Sequence, residues 1–415
     1  MPVGASEIPD LRLSRINKLV TSFTSAPNLV LSKMFGTSRA DSDTIKWESQ
    51  VGTRGVSPFM APGTKTPQTE PLGVASHSAV AAFWGEKMFM DEHFLNNLRK
   101  MGTESTYLTS QQRLAGELQR IRYRIDRRKE WMFAKMLSVG SFDYLEKGGN
   151  KLAVSYDIPT DHNVTLGTNY KWGTGNSADI LSDIRDAKIK IKDDTDMNVN
   201  FCITTQTVLR YMVENSAILE LFQADHFNKT GVLGSDASNQ LGIRPQVIGQ
   251  LLDIPNFMVY DERFTAKAWL TANVTASSTT VISVTNVEDF EVGGTLRFND
   301  TSAGTWEDET ISAIGVEAGT VTVSSAPSTS YKAGEDTVTM TKTFIPNDVI
   351  VFGTTSVDGQ AIAEFMEAPF GNARHYGPTA TVWEETDPEG VYIRVQNKGL
   401  PILTFPESLY ILNVE

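Results

Sequence analysis

The chain has 415 residues, of which 40% are hydrophobic and 21% charged, an ordinary composition for a soluble globular protein of two or three domains. The net charge of −13 argues against a protein whose main task is to grip nucleic acid, because phosphate binding needs an excess of Lys and Arg. The lone cysteine, Cys202, excludes intrachain disulfides and Cys-rich metal sites. No window approaches about 18 consecutive apolar residues, so we predict no membrane span. Residues 1–20 lack the apolar segment of a secretory signal, so we expect a protein made and used in a cytoplasm.

The first 45 residues are expected to form an arm that lies on another surface, since they show no long hydrophobic period. The next part, residues 46–80, contains a segment from Glu48 to Leu72 that is punctuated by chain breakers. These are Gly52, Gly55, Pro58, Pro62, Gly63, Pro67 and Pro71. A structureless loop of about 20 residues is uncommon in a compact domain. An extended β-hairpin that reaches away from the body fits this pattern, and a flexible surface loop fits it equally well.

The clearest helix is predicted from about Ser110 to Leu137. Apolar residues at spacings of three, four and seven form one continuous stripe along it: Leu114, Leu118, Ile121, Ile125, Met132 and Met136. Thr109 and Gln112 fit a capping box at its start. The polar side carries eight basic and three acidic residues, a local net charge of +5. Such a side could meet nucleic acid, but the interleaved acids favour a solvated face or a contact with another subunit.

Helices and strands alternate in the next part of the chain. Ser177–Lys192 is predicted to be an amphipathic helix, with Ile180, Ile184, Ala187 and Ile191 on one face. A strand, a helix and a short buried strand are predicted after it, at Asn198–Thr204, Thr205–Phe222 and Phe257–Tyr260. This order of elements indicates an α+β or α/β layer. Cys202, which lies between two large apolar residues, is predicted to be a buried core residue.

The composition changes abruptly at about Lys267, and residues 268–341 are rich in Thr, Ser, Val and Gly. Short alternating segments separated by Gly and Asn/Asp turns recur at 280–284, 294–298, 309–314, 320–324 and 337–340. Regular short strands with turn signals predict a small β-barrel or β-sandwich. Residues 266–345 hold four basic and ten acidic residues, a net charge of −6. We therefore predict an exposed, acidic, inserted domain, with mixed helical sequence resuming after Thr343.

The C-terminal segment, residues 390–413, reads GVYIRVQNKGLPILTFPESLYILN. Apolar residues alternate with others over 391–396, a period of two that is typical of a half-buried strand. The tripeptide Asn397-Lys398-Gly399 predicts a turn. Two further apolar segments, Leu400–Phe405 and Leu409–Val414, follow on either side of a proline. We expect this terminus to be tied into a sheet.

The chain carries none of the familiar short signatures of catalysis. GxxxxGK[ST], GxGxxG and GxSxG are absent, and no zinc-type i, i+4 pairing occurs among the histidines, His77, His93, His162, His226 and His375. Asp193-Asp194-Thr195-Asp196 begins like a calcium loop, but no glycine stands at the sixth position, and a solvated helix terminus explains it better. We therefore predict no catalytic residue, no metal and no cofactor, and a protein that is not an enzyme.

Three segments resemble the major capsid (major head) proteins of tailed phages, in the lambda-like branch of the Hong Kong 97 (HK97)-type fold. They are FMVYD at Phe257–Asp261, GNARHYGPTATV at Gly371–Val382 and QNKGLPILTF at Gln396–Phe405. The order of parts is similar as well: an arm, an extended loop, one very long helix, a helix-and-strand domain and a chain that returns at its C-terminus. The resemblance covers nearly all of residues 1–265 and 344–415. The β-rich stretch departs from it and looks like the insertion domains that some capsid proteins carry.

The resemblance implies an α+β subunit of the HK97-like phage capsid fold, built from five parts. They are an N-terminal arm (1–45), an extended β-hairpin loop (46–80), a peripheral domain (81–175 and 381–400) with a spine helix (110–137), an axial domain (176–267, 342–380 and 401–415) and the inserted domain (268–341). It also implies a virion protein, assembled in the bacterial host cytoplasm, that forms the hexamers and pentamers of an icosahedral head around double-stranded DNA. The implied partners are the chain itself, a separate scaffolding protein, a portal and, as an option, a decoration protein. Packaged DNA would be contacted only weakly.

We expect the loop and the basic side of the long helix to contact neighbouring subunits, because an arm and a loop that cannot be buried within their own chain gain stability on other copies. The predicted contact residues are Arg54, Pro58, Phe59, Lys65, Arg120, Arg124, Arg127 and Arg128. Crosslinking in the family needs a loop Lys and an Asn on a neighbour. Lys65 is the only Lys between Glu48 and Leu72, and nothing marks it as reactive, so we expect no covalent crosslink.

Two other classes of protein stay open at this point. A host-surface protein whose β-rich domain binds glycans would account for residues 268–341, although the lack of a secretory signal counts against it. An acidic enzyme without a recognisable motif would account for the net charge. Binding on a glycan array would favour the first class, and turnover by a soluble monomer would favour the second.

Overall fold

The computed structural model describes most of the chain. The described residues are 11–24, 28–50, 59–60, 62–66, 73–91, 104–145, 151–174, 178–218, 220, 245–287, 290–315, 317–386 and 389–415. The helices in these ranges are α1 (Leu13–Ser22), α2 (Leu31–Met34), α3 (Glu104–Val139), α4 (Ile180–Thr195), α5 (Gln206–Glu214) and α6 (Pro245–Leu251). Among the described residues, no helix is both long and apolar enough to cross a membrane.

The strands form three large sheets and three two-stranded hairpins within the described ranges. In chain order they are β1 (Gly36–Arg39), β2 (Thr44–Gln50), β3 (Val74–Val80), β4 (Ala82–Asp91), β5 (Ser141–Leu145), β6 (Lys151–Ser155), β7 (Asn163–Thr165), β8 (Phe201–Thr204), β9 (Asn256–Val259), β10 (Arg263–Trp269), β11 (Val281–Ser283), β12 (Thr295–Asn299), β13 (Trp306–Gly315), β14 (Thr320–Val323), β15 (Thr337–Thr343), β16 (Val349–Gly353), β17 (Ser356–Val357), β18 (Gln360–Ala361), β19 (Ala363–Glu367), β20 (Thr379–Thr386), β21 (Glu389–Leu403) and β22 (Leu409–Asn413).

Helix α3 is the longest described element, and it joins two apolar cores. Its 36 residues span about 54 Å. The predicted stripe is confirmed, since all six of its residues are buried. The first half packs with α1 against β4, β20 and β21, and the second half enters a core that it shares with the C-terminal strands. The helix begins at Glu104 rather than at Ser110, so the predicted capping box at Thr109 is wrong.

Strand β21 is the centre of the first sheet, named here the β21 sheet, in which the order is β1-β19-β21-β20 and β4 also pairs with β21. The strand runs unbroken through Asn397–Gly399, so the predicted turn is wrong. Both β4 and β19 pair with β21 at this tripeptide and hold it extended. Gly399 serves close packing instead of a turn, because a Cβ there would lie 2.5 Å from the Phe365 ring.

The second sheet, named the β22 sheet, has the order β7-β22-β16-β8-β9 and contains the C-terminal strand, which confirms that the terminus is tied into a sheet. Alternate residues of its strands face opposite cores. Phe201 and Ile203 face the core at the end of α3, whereas Cys202 faces α4, α5 and α6. Cys202 is buried, as predicted, and burial raises the pKa of its thiol well above the usual value. The predicted apolar face of α4 is confirmed as well.

The third sheet has the order β10-β15-β12-β13-β14-β11 and closes into a ring, named here the barrel (residues 263–343). Closure comes from hydrogen bonds between the ends of β10 and β11: the Thr271 N–H donates to Ser283 O and the Thr285 N–H donates to Trp269 O, both at 3.0 Å. Strands are present in all the predicted short segments. The ring encloses an apolar interior of its own. Of the two architectures left open by the sequence, the structure has the barrel.

Three other expectations from the sequence are wrong. After Thr343 the described chain forms β16–β22 and no further α-helix, because β-branched and aromatic residues that suit a pleated surface dominate there. The helix predicted over Thr205–Phe222 is interrupted after Glu214, where the Asn215 side chain accepts two backbone N–H hydrogen bonds and starts a new turn. The sequence predicts an arm that lies on another surface, whereas α1 packs on β20 and α3 of its own chain.

Candidate assembly surfaces

Strands β2 and β3 form an antiparallel hairpin whose base belongs to the main core. The two strands pair along their whole length. Ile45 and Trp47 are buried, and the Trp47 ring lies 5.3 Å from the His77 ring and 6.1 Å from the Tyr156 ring. The base of the hairpin is therefore fixed to the body by apolar packing.

Between these two strands, the structure describes residues 59–60 and 62–66. The Phe59 side chain is fully exposed, with a relative accessibility of 108%, and Lys65 is exposed as well. The predicted contact residues Arg54 and Pro58 lie outside the described residues. Burying a phenylalanine side chain is worth about 2 kcal/mol. Phe59 is thus an apolar contact point that the described part of its own chain leaves uncovered.

Three of the predicted arginines lie on the polar side of α3 and already contact other residues of their own chain. Arg120 is 3.8 Å from Glu117, and Arg124 Nε is 2.9 Å from Glu86. Arg128 stacks at 5.2 Å on a tryptophan of the next turn. The Arg120 and Arg124 side chains are mostly exposed, and exposed ion pairs contribute only about 0–1 kcal/mol. The present ion pairs of these two arginines therefore contribute little to the stability of the chain.

Arg127, in contrast, is bound firmly within its own chain. Its guanidinium lies 2.7 Å from Glu262, donates to the backbone carbonyl of Arg263 and stacks 5.9 Å from the Phe344 ring. These partners stand at the two ends of the barrel segment. Arg127 thus links α3 to the two ends of the barrel segment.

An open groove of about 530 Å³ runs between α3 and β10. Its lining residues are Gly116, Gln119, Arg120, Tyr123, Arg124, Arg127, Arg263 and Thr265. Four of them are arginines and none is acidic. The groove brings three predicted contact residues together with Arg263, which the sequence analysis missed because it lies more than 130 residues away on another element. An acidic surface would suit this groove.

An ion pair also joins the barrel to α3. Glu291 of the barrel lies 3.1 Å from Lys135 of α3 and is also paired with Lys342 of β15. Burial lowers the pKa of the Lys135 ammonium, although Glu291 opposes that shift. Burial would raise the pKa of Glu291, but the two lysines outweigh it and hold that pKa below its usual value. Glu291 is therefore ionised between two cations.

The N-terminal arm is fixed by a buried carboxylate that the sequence analysis did not single out. Glu130 of α3 is fully buried and accepts from the N–H groups of Leu31 and Ser32, both at 2.7 Å, and from the Tyr260 hydroxyl at 3.0 Å. Arm, long helix and the strand before the barrel meet at this side chain. Its partners are 98 to 130 residues distant in sequence, so no local pattern could have revealed it.

One charge cluster contains residues that could hold a metal ion: Asp161, His162 and Asp194, with their ligand atoms within 4.8 Å of one another. The Lys190 ammonium lies 2.6 Å from Asp161 and 2.9 Å from Asp194, so a cation already stands between the two carboxylates. The helix terminus predicted here is confirmed, because α4 ends at this point and Asp196 caps it with a φ of 58°.

The chain is similar to known phage proteins in sequence and in structure. Residues 14–277 match the family model of phage major capsid protein E. The putative capsid protein of a prophage of E. coli CFT073 aligns over 100% of both chains, with 13% identity and a TM-score of 0.52. A phage-related protein from Bordetella bronchiseptica RB50 aligns over 96% of both chains (10% identity, TM-score 0.49), and the capsid of Cyanophage P-SCSP1u over 94% of this chain and 89% of that one (8% identity, TM-score 0.42). No curated protein matches the sequence.

At such low identity, the solved structures bear on the fold alone. The likeness to the prophage capsid protein extends over the whole chain, and the fold is accordingly α+β, of the HK97 type. The family model shows that the chain is also related to this family in sequence. The match covers more than half of the residues and includes nearly all of α1, the hairpin strands and α3. The chain therefore belongs to the phage major capsid protein E family.

Proposed function

We propose that this chain self-assembles, as hexamers and pentamers, into the icosahedral head that encloses the double-stranded DNA of a phage. The observation that carries the proposal is the uncovered Phe59, which lies on a hairpin whose base is fixed in the body. The described part of its own chain leaves this side chain uncovered, and closed symmetric shells gain stability from contacts that bury such side chains between copies. Membership of a capsid protein family indicates a structural rather than an enzymatic role. The protein would act in the virion after assembly in the host cytoplasm.

The proposed subunit keeps the five parts expected from the sequence: arm, extended hairpin, peripheral domain with the spine helix, axial domain and inserted domain. The paired strands β10 and β15 support the inserted domain, because Arg263 and Thr343 stand side by side where the chain leaves and rejoins the body. We place the barrel on the outer surface of the head. The net charge of −6 over residues 266–345 would meet packaged phosphate unfavourably on the inside. On the outer surface, the barrel would stabilise neighbouring capsomers or offer a binding site to a decoration protein.

The contacts between copies would involve the hairpin tip and the exposed arginines of α3. Phe59 supplies apolar area, and Arg120 and Arg124 supply charges whose present ion pairs are weak. Packaged DNA would be held only weakly by a chain of net charge −13. A separate scaffolding protein and a portal are the further partners that this proposal implies.

Deleting Gly52–Thr69 tests the proposal, because the deletion leaves the paired strands β2 and β3 in place. The full chain, with or without a scaffold, is expected to form capsomers or shells in negative-stain microscopy and size-exclusion chromatography. The deleted chain is expected to stay folded and to build no stable shells. A full chain that remains a single 45.7 kDa species at high concentration would contradict the assembly proposal. A deleted chain that assembles with unchanged thermal stability would contradict the role of the loop.

Charge reversal tests the arginines separately. Arg120→Glu and Arg124→Glu together are expected to weaken assembly and leave the subunit folded. Arg210→Glu is the matched control, since Arg210 is also exposed on a helix and also has a weak acidic neighbour, Glu214 at 3.9 Å. Equal assembly of both variants in light scattering would remove the α3 arginines from the contact.

A further inference from the structure

The β21 sheet has two unlike faces. One face is covered by α1 and α3, which pack on alternate residues of its strands such as Met90 and Ile393. The residues between these point to the opposite side, because successive side chains of a strand face opposite ways. Phe89 on that side is 39% exposed, and Lys87 and Asp91 of the same strand are exposed as well. We call this side of β4, β21 and β20 the open face.

A row of three aromatic side chains crosses the middle of the open face. Phe89 of β4, Tyr392 of β21 and Trp383 of β20 stand opposite one another in the strand register. The Tyr392 ring lies 4.7 Å from the Phe89 ring and 5.2 Å from the Trp383 ring. Gly390 leaves room for the row, because a Cβ there would lie 2.4 Å from the Phe89 ring. Aromatic side chains of this kind are enriched at the centres of protein interfaces.

Rows of opposite charge flank the aromatic row, each two residues or about 7 Å away along the strands. On one side stand two exposed carboxylates, Asp91 of β4 and Glu385 of β20, which pair with the same residue of β21. On the other side stand Lys87 of β4 and Arg394 of β21, opposite each other. Their charged groups lie over the aromatic row, 4.8 and 5.5 Å from ring centroids. Arg394 also donates to the Thr381 hydroxyl at 3.1 Å, so its guanidinium leans over β20.

The order of acidic, aromatic and basic rows makes the open face complementary to itself. A half-turn about an axis along the aromatic row would set the aromatic rows of two copies against each other and each acidic row against a basic row. Asp91 would then face Lys87 of the second copy, and Glu385 would lie near the guanidinium of its Arg394. The symmetry makes each of these pairs twice. An axis along the strands would instead set like charges against each other.

We propose that two copies of this chain pack open face against open face, about a two-fold axis that runs along the aromatic row. Charge complementarity selects this occupant. A polyanion such as packaged DNA would suit the basic row but would be repelled by the acidic row, whereas a second copy suits both. The contact rests on the proposed function in that it names a surface where two subunits of the shell meet. As a pair, however, the two copies need no shell.

Exchanging the charges on β4 of the full chain tests the contact. Lys87→Glu sets acid against acid at both symmetric positions, and it is expected to raise the concentration needed for self-association at least about tenfold in analytical ultracentrifugation. Lys87→Glu combined with Asp91→Lys exchanges the two charges, and it is expected to restore self-association to within about threefold of the natural chain. Lys267→Glu is the matched control, because Lys267 is also exposed on a strand and lies 5.3 Å from the centroid of an aromatic ring. It is expected to behave as the natural chain.

A crosslink tests the position of the axis without a change of charge. Position 89 would lie beside the axis and face its own copy across packed sheets that are about 10 Å apart. A bismaleimide of about that length is therefore expected to join two Phe89→Cys chains, whereas the chain's own Cys202 is buried and is expected not to react. Thr265→Cys, at an exposed position of β10, is the control and is expected to give no joined pair.

The outcomes separate this contact from the proposed shell. Pairs that form without larger assemblies, and that Lys87→Glu breaks, would support the contact and contradict the shell. Shells that form equally well from the natural chain and from Lys87→Glu would overturn the contact and leave the shell standing. Failure of the exchanged variant to recover would overturn the pairing of the acidic and basic rows. Loss of DNA binding in Lys87→Glu with unchanged self-association would assign the face to DNA and overturn the proposal.

Discussion

The barrel and the β2–β3 hairpin both adjoin the main body, defined here as the described residues outside 44–80 and 263–343, yet they bury their apolar side chains in opposite ways. The barrel pairs its strands into a closed ring and encloses an apolar interior that contains Phe298 and Tyr331. The hairpin buries Ile45 and Trp47 only at its base and leaves Phe59 in water. A segment with its own core is stable by itself, whereas a segment without one is stable only on a surface that something else supplies. This difference separates a segment that forms a core of its own from one that depends on neighbouring elements.

Phe298→Ala should break the barrel and leave the body intact. Phe298 is fully buried and stacks on Tyr331 at 5.1 Å, and removing a buried phenylalanine costs about 3–5 kcal/mol. Hydrogen exchange is expected to rise throughout 263–343, while the main unfolding transition in calorimetry is unchanged. The control is Phe83→Ala, which removes a 44%-exposed ring from β4 and should cost about 1 kcal/mol. Equal destabilisation of barrel and body by Phe298→Ala would show that they form one cooperative unit.

Glu130→Ala should release the N-terminal arm from α3. Like the hairpin, the arm has no core of its own and depends on neighbouring elements. A buried N–H group on Leu31 and a partly buried one on Ser32 would lose their acceptor, and we expect the unfolding free energy to fall by about 2–3 kcal/mol. The exchange rates of those two amides report the effect directly, and barrel amides should not respond. Glu117→Ala on the exposed side of the same helix is the control and should stay within about 0.5 kcal/mol of the natural chain. Unchanged protection at Leu31 and Ser32 would rule out the anchoring role of Glu130.

Glu291→Gln should loosen the attachment of the barrel without opening its core. The pair with Lys135 is partly exposed, so we expect a loss of about 1 kcal/mol near neutral pH. The pKa of Glu291 is lowered in the folded chain, so its contribution is present above the unfolded-state pKa and is lost as the pH falls through the folded-state value. Denaturation at pH 7 and at about pH 3 should therefore differ less for Glu291→Gln than for the natural chain. An identical pH dependence in both proteins would exclude a stabilising role for the pair.

Phe59→Ser should have the smallest effect on the stability of the isolated subunit. Because its ring is already exposed, unfolding free energy should stay within about 0.5 kcal/mol of the natural chain. If neighbouring copies bury the ring, losing about 2 kcal/mol per contact should raise the concentration needed for assembly at least about tenfold. Light scattering over a concentration series measures this threshold. Lys65→Ser, which changes an exposed polar position of the same loop, is the control.

Much of the fold could be predicted because its elements bury one face each. The stripe on α3, the apolar face of α4 and the short strands of the barrel repeat at the helical or strand period, and all were found in the predicted places. The contact residues could be predicted only as types. The structure shows Arg127 bound within its own chain and leaves Phe59 exposed, a difference that residue identity alone does not contain.

Two wrong predictions from the sequence share one physical cause. Asn397–Gly399 has the composition of a turn, but strands β4 and β19 pair with it from both sides and keep it extended. The arm lacks a long period, but α1 finds a partner surface on α3 and β20. In both places, neighbours from distant parts of the sequence outweigh local preference.

The sequence by itself determined where the apolar stripe of α3, the apolar face of α4 and the short strands of the barrel lie, that residues 268–341 differ from the rest of the chain in composition and charge, and which family the chain resembles. These properties follow from local periodicity and composition, because burial of one face leaves a repeat in the residues themselves. Only the tertiary structure decided that the β-domain closes into a barrel, that Glu130 anchors the arm, and that Arg127 links α3 to the ends of the barrel segment. Each of these depends on groups brought together from far apart in sequence, and such encounters leave no periodic trace in a single chain.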